Sequence, residues 1–155
     1  MVKKILSILI FTIVSSCGFK VVNLSEIENF SFIELNLTGD KRINYIIKNN
    51  LLQASKENAN NKIVITINTK KNKNIKEKNI KNEIIKYDIS IVADILVKSI
   101  SKNASFDFTI TKNGSYSVAE QNSTTRNNER KLITLLSGDL SDEILAETRV
   151  KVNDL

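Results

Sequence analysis

Histidine, proline and tryptophan are absent from this chain of 155 residues, and cysteine occurs once. The missing histidine excludes an ordinary Ser-His-Asp triad and any histidine metal ligand. A single cysteine excludes a disulfide within the chain. Glycine is scarce, with four in all, and no glycine-rich loop of the kind that cradles phosphate is present. Carboxylates do occur, but Asp88 and Asp94 stand on a strand face among ordinary polar neighbours and read as solvated. No catalytic residue and no metal ligand is assigned, no cofactor is expected, and the chain is not expected to be an enzyme.

What is present begins with "ILIFTIVSSCGFK" at residues 8–20. Lys3 and Lys4 precede an apolar run from Ile5 to Val14. A membrane-crossing helix needs roughly 20 such residues, whereas the core of an export signal needs only about 7 to 15, followed by small residues. Ser15, Ser16 and Gly18 supply these. Val14-Ser15-Ser16-Cys17-Gly18 resembles the lipobox of bacterial lipoproteins. That resemblance implies lipid on the Cys17 sulfur, cleavage before Cys17 and acylation of the amine so exposed. Several acyl chains hold a protein stably on a bilayer, where one chain does not. No Asp follows Cys17, which in lipoproteins resembling enteric ones points to the periplasmic side of the outer membrane. The expected organisation is a signal peptide at 1–16, a lipidated N-terminus and linker at 17–29, and a single domain at 30–155.

The net charge is +6. A basic balance suits an anionic partner. An exported chain rarely meets nucleic acid, so lipid phosphates are the expected anion. The abundance of Ile, Asn and Lys also fits the codon bias of an AT-rich genome, which accounts for part of the lysine content.

Period-two alternation marks strands. "FSFIELNL" (30–37) sets Ile33, Leu35 and Leu37 on one face and Phe32, Glu34 and Asn36 on the other. "KIVITIN" (62–68) aligns Ile63, Ile65 and Ile67, and "YDISIVADILVKS" (87–99) aligns Tyr87, Ile89, Ile91, Ala93, Ile95 and Val97. "ASFDFTIT" (104–111) sets Phe106, Phe108 and Ile110 inward after a short "SKN" turn. Between the first two strands, residues 38–55 repeat apolar positions at Ile43, Ile46/Ile47, Leu51 and Ala54, which predicts a helix capped by Thr38 or Asp40. The tail carries a helical stripe at Leu132, Ile133, Leu136, Leu140, Ile144 and Leu145. Gly138 interrupts it at a cost near 1 kcal/mol, so a kink or two short helices are expected there.

The order β-α-β-β-β-α implies an antiparallel meander joined by a helical crossover to a parallel first strand. Each strand has one apolar face. The fold class is therefore α+β, a two-layer sandwich: a four-stranded mixed sheet with both helices on one face and the other face open.

Two groups of lysines are candidate contacts for lipid phosphates. Lys98, Lys102 and Lys112 are expected to gather around the turn of the last hairpin. Lys70, Lys71 and Lys73 belong to "KKNKNIKEKNIK" (70–81), read as a loop between strands. The plainer reading of each group is solvated surface. Tyr116, in "NGSYSV", reads as a core aromatic with its hydroxyl at the rim.

In its order of elements the chain resembles the LPS-assembly lipoprotein family LptE. The residues that carry the resemblance are "CGF" (17–19), "TGDKRINYIIKNNLLQ" (38–53), "KYDISIVADILV" (86–97), "FDFTITKNGSYSV" (106–118) and "RNNERKLITLLSGDLSDEILAETRV" (126–150). The resemblance implies a non-enzymatic protein that plugs a large outer-membrane β-barrel like LptD, helps it assemble and helps pass lipopolysaccharide to the cell surface. The lysine-rich stretch 70–81 and the break at Gly138 depart from the family pattern. Two other readings stay open: an auxiliary lipid-binding lipoprotein of an ABC lipid-transport system, and a structural envelope lipoprotein.

Overall fold

The computed structural model describes residues 30–56 and 59–155. The expected export signal at 1–16, Cys17 and the expected linker at 17–29 lie outside the described residues. β1 (Phe30–Gly39) leads through α1 (Lys41–Ala54) to β2 (Asn61–Lys78), then β3 (Ile84–Ser99), β4 (Ala104–Ser117) and α2 (Asn122–Asn153). The sheet order is β1-β2-β3-β4, with β1 parallel to β2 and the other pairs antiparallel. This is the α+β class and element order expected from the sequence.

One face of the sheet holds the core. Ile63, Ile65 and Ile67 of β2 and Ile89, Ile91, Ala93, Ile95 and Val97 of β3 are buried there against Ile43, Ile47 and Leu51 of α1 and Ile133, Leu136, Leu140 and Ile144 of α2. The alternate residues face away, so the second layer is one-sided.

Three boundaries differ from the sequence reading. In β1 the pairing shifts between Phe32 and Glu34. The bulge turns Ile33 outward, 53% exposed, and sets Phe30, Phe32, Leu35 and Leu37 together on the core side. An alternation counted straight through the strand assigns Phe32 and Ile33 to the wrong faces, because one extra residue inverts the pattern. Next, residues 70–78 are strand, not loop. β2 runs 18 residues and pairs with β3 as far as Lys78↔Ile84. Finally, α2 passes through Gly138 unbroken for 32 residues. Buried Leu136, Ser137, Leu140 and Ser141 flank that glycine, and tertiary packing outweighs one weak helix former. Ser137 and Ser141 each donate to the carbonyl four residues back, at 2.7 Å, which satisfies their buried hydroxyls.

The β1–α1 corner fixes the crossover. Gly39 has φ +102°, and a Cβ there would overlap the Thr69 carbonyl. Asp40 caps α1, accepting from the backbone N–H of Arg42 at 3.0 Å and of Ile43 at 3.2 Å. Thr69, buried beneath them, donates to Asn44 at 2.8 Å.

Candidate functional site

The first group of candidate lysines does not form one site. Lys98 lies on the open face, opposite Ser105 and close to the β3–β4 turn. Lys102, in that turn, donates its ammonium to the Val152 carbonyl at 2.6 Å. A cation there complements the carboxyl end of the α2 dipole. Lys112 pairs in register with Ile91 on the helix-covered side and ion-pairs with Glu143 of α2. Seven residues separate it along β4 from Ser105, roughly 23 Å at strand rise. The expected cluster of Lys98, Lys102 and Lys112 is thus corrected: β4 runs on past Ile110, and carries Lys112 away from the turn and onto the other face.

In the second group, strand alternation splits the lysines. Lys70 is exposed on the open face. Lys71 turns toward α1 and pairs with Asp40 at 3.2 Å. Lys73 turns toward α2 and pairs with Glu129 at 2.8 Å, its ammonium 4.4 Å from the Tyr87 ring centroid and 5.3 Å from that of Tyr116. Tyr87 and Tyr116 stack at 5.6 Å, and the Tyr116 hydroxyl donates to the same Glu129 oxygen at 2.9 Å. This rim position matches the reading of Tyr116 from sequence.

Burial alone would raise the Glu129 pKa, but the Lys73 ammonium and the Tyr116 hydroxyl outweigh it and hold the carboxyl below its ordinary value. For Lys73, burial acts downward and is overcome by Glu129, so its pKa lies above the ordinary value. Burial, together with the Glu129 carboxylate, raises Tyr116 against the opposing pull of Lys73. These four side chains form a clasp between the β2–β3 extension and the start of α2. Sequence reasoning missed it. The available signal was the spacing of Lys71, Lys73 and Ile75, which continues the inward positions of β2.

The open face is the larger feature. It presents Thr66 and Asn68 from β2, Asp94 and Leu96 from β3, and Thr109, Thr111, Asn113 and Ser115 from β4. Its polar groups bond across strands. Thr109 donates to Asp94 at 2.9 Å, and Lys76 reaches both Asp88 at 3.0 Å and Ser115 at 2.8 Å. The hydrogen bond from Lys76 lowers the Asp88 pKa. A shallow depression of about 360 Å³ lies there, lined by Asn74, Lys76, Asp88 and Asn113. The β2–β3 turn is ordered by Asn79, which accepts from the N–H groups of Lys81 at 2.9 Å and Glu83 at 3.0 Å. Ile80 stands fully exposed at its apex. No helix among the described residues is long and apolar enough to cross a membrane.

Solved structures share this fold. Rare lipoprotein B from Shewanella oneidensis superposes with a TM-score of 0.59 at 15% identity, covering 77% of this chain and 98% of that one. The chain has the rare lipoprotein B fold. Lipoprotein B from Nitrosomonas europaea, described as uncharacterized, superposes with a TM-score of 0.62 at 12% identity, covering 88% of this chain and 93% of that one. At such identities the likeness extends to the fold alone. No protein-family model matches the sequence, and no curated protein matches it.

Proposed function

We propose that this chain is a lipid-anchored lipoprotein on the periplasmic side of the outer membrane, which plugs a lipopolysaccharide-export β-barrel of the LptD type, assists its assembly and helps deliver lipopolysaccharide to the cell surface. The role is non-enzymatic. The observation that carries the reading is the sheet face, rich in Thr, Asn and Ser, that stays bare among the described residues, with both described helices on the other side. The lumen wall of an outer-membrane barrel is polar. A rigid polar sheet face can lie against such a wall and exchange hydrogen bonds with it, where an apolar face could not. The lipobox-like cysteine supplies the tether, and the fold shared with lipoproteins of two other bacteria supports the class. For lipid phosphates we assign Lys70 and Lys98, whose positions put them on the open face; as ammonium groups they act as point charges.

The test is photo-crosslinking in cells from Thr109 and Thr111. The expected product is an adduct with an outer-membrane β-barrel. Adducts with subunits of an ABC lipid transporter, or none at either position, would overturn the proposal.

A further inference from the structure

Two features beside the clasp and the open face meet at one edge of the sheet. β4 is an outer strand, and among the described residues no strand pairs with its far side. Every second residue of such a strand turns its N–H and C=O outward. Proteins usually protect an edge with a short strand, a bulge, a proline or projecting charge. β1, at the other edge, has its bulge at Ile33. β4 has no short span, bulge or proline: it runs 14 residues, and its ladder to β3 is unbroken from Ala104 to Ser117. Of its two charged residues, Lys112 is tied to Glu143, and Asp107 stands exposed on the open face opposite Leu96, away from the Ser115–Ser117 end.

Alongside the last part of β4 lies a groove of about 490 Å³ between this strand and α2. Tyr116, Leu132 and Leu135 line it, with Lys131 beside them. Leu135 is 60% exposed. Asn128 donates to the Ser117 carbonyl at 3.1 Å and closes the end. A free backbone edge beside an apolar groove under a helix is the arrangement that takes an extended peptide: main-chain hydrogen bonds hold it, and alternate side chains enter the groove.

We infer that β4 and α2 dock an extended segment of a partner protein, which adds to β4 as a fifth strand and lays apolar side chains against Leu132 and Leu135. Only an extended backbone satisfies a row of outward N–H and C=O groups, so an acyl chain does not suit the edge. Side chains of the added strand alternate between faces. Those on the helix side are apolar, and a carboxylate beside them meets Lys131. The chain's own net charge of +6 opposes self-pairing and favours an acidic segment.

The test uses the full chain in detergent micelles, panned against a displayed library of random nonapeptides. Enriched sequences should alternate apolar with acidic or polar residues. A synthetic peptide of the enriched sequence should slow amide exchange in β4 between Thr109 and Ser115. It should bind at least about tenfold more weakly to Leu135→Glu, and unchanged to Val150→Glu, a similarly exposed site of α2 at 58% outside the groove. No enrichment, or protection elsewhere, overturns the inference. So does a β4 already protected in the peptide-free chain, with sedimentation then separating a second copy from the chain's own residues. None of these results bears on the open-face crosslinks, so the barrel proposal stands or falls separately.

Discussion

At the residue scale Gly138 and Gly39 call for opposite outcomes. Gly138 sits mid-helix, and nothing lies within 4 Å of the position a Cβ would take. Gly138→Ala should therefore stabilise the domain by about 0.5–1 kcal/mol, since glycine is the poorest helix former after proline. Gly39 has φ +102° with the Thr69 carbonyl against it. Gly39→Ala should cost about 1–3 kcal/mol in backbone strain, and more if Thr69 is displaced and its bond to Asn44 lost. Urea midpoints should move in opposite directions, and a shift of the same sign in both would contradict the assigned conformations. Asp40→Ala removes the α1 cap and the Lys71 partner together. About 1 kcal/mol follows from the cap alone, and the exposed half of the ion pair adds little.

At the scale of elements, the alternation in β3 yields a paired test. Ile91 is fully buried and Ser90 faces the open side. Ile91→Asp puts an unpaired charge in the core and should abolish cooperative unfolding by circular dichroism, while Ser90→Asp should change the midpoint little. Equal losses would mean that the inward face is misassigned. The same alternation shows what was legible. Strands were readable where inward positions are Ile, Val or Phe, as at 63–67 and 89–97. The extension 70–78 was not, because its inward positions are Lys71, Lys73 and Ile75. A lysine that packs its stem on a sheet and aims its charge at Asp40 or Glu129 looks in sequence like loop lysine. Likewise the partner of Lys112 is Glu143, on α2 across a turn, and no local pattern announces it. Ile33 failed for a further reason, since a bulge is invisible to a period count.

For the whole molecule, the ionic ties decide behaviour in acid. Lys73–Glu129–Tyr116 joins the β2–β3 extension to α2, and Lys71–Asp40 joins β2 to α1. The core beneath has no such dependence. Glu129 ordinarily titrates at 4.5 and Asp40 at 3.8, and both are lowered in the fold. A depressed carboxyl contributes stability that is fully present above its unfolded value and is lost as pH falls through the folded one. The ties should therefore hold unchanged between pH 5 and 7 and fail progressively below about pH 4.5. The raised values of Lys73 and Tyr116 belong to alkaline pH and do not enter this window. Amide exchange should show the failure locally: protection at 70–78 and at the start of α2 should fall before protection at Ile63–Ile67, which the hydrophobic core holds. Glu129→Gln keeps the shape of the side chain and removes its titration. The wild type and this variant should differ most at neutral pH and converge as the carboxyl protonates. A difference that stays constant down to pH 3 would show that the acid-labile tie lies elsewhere, with Asp40→Asn as the next variant to measure.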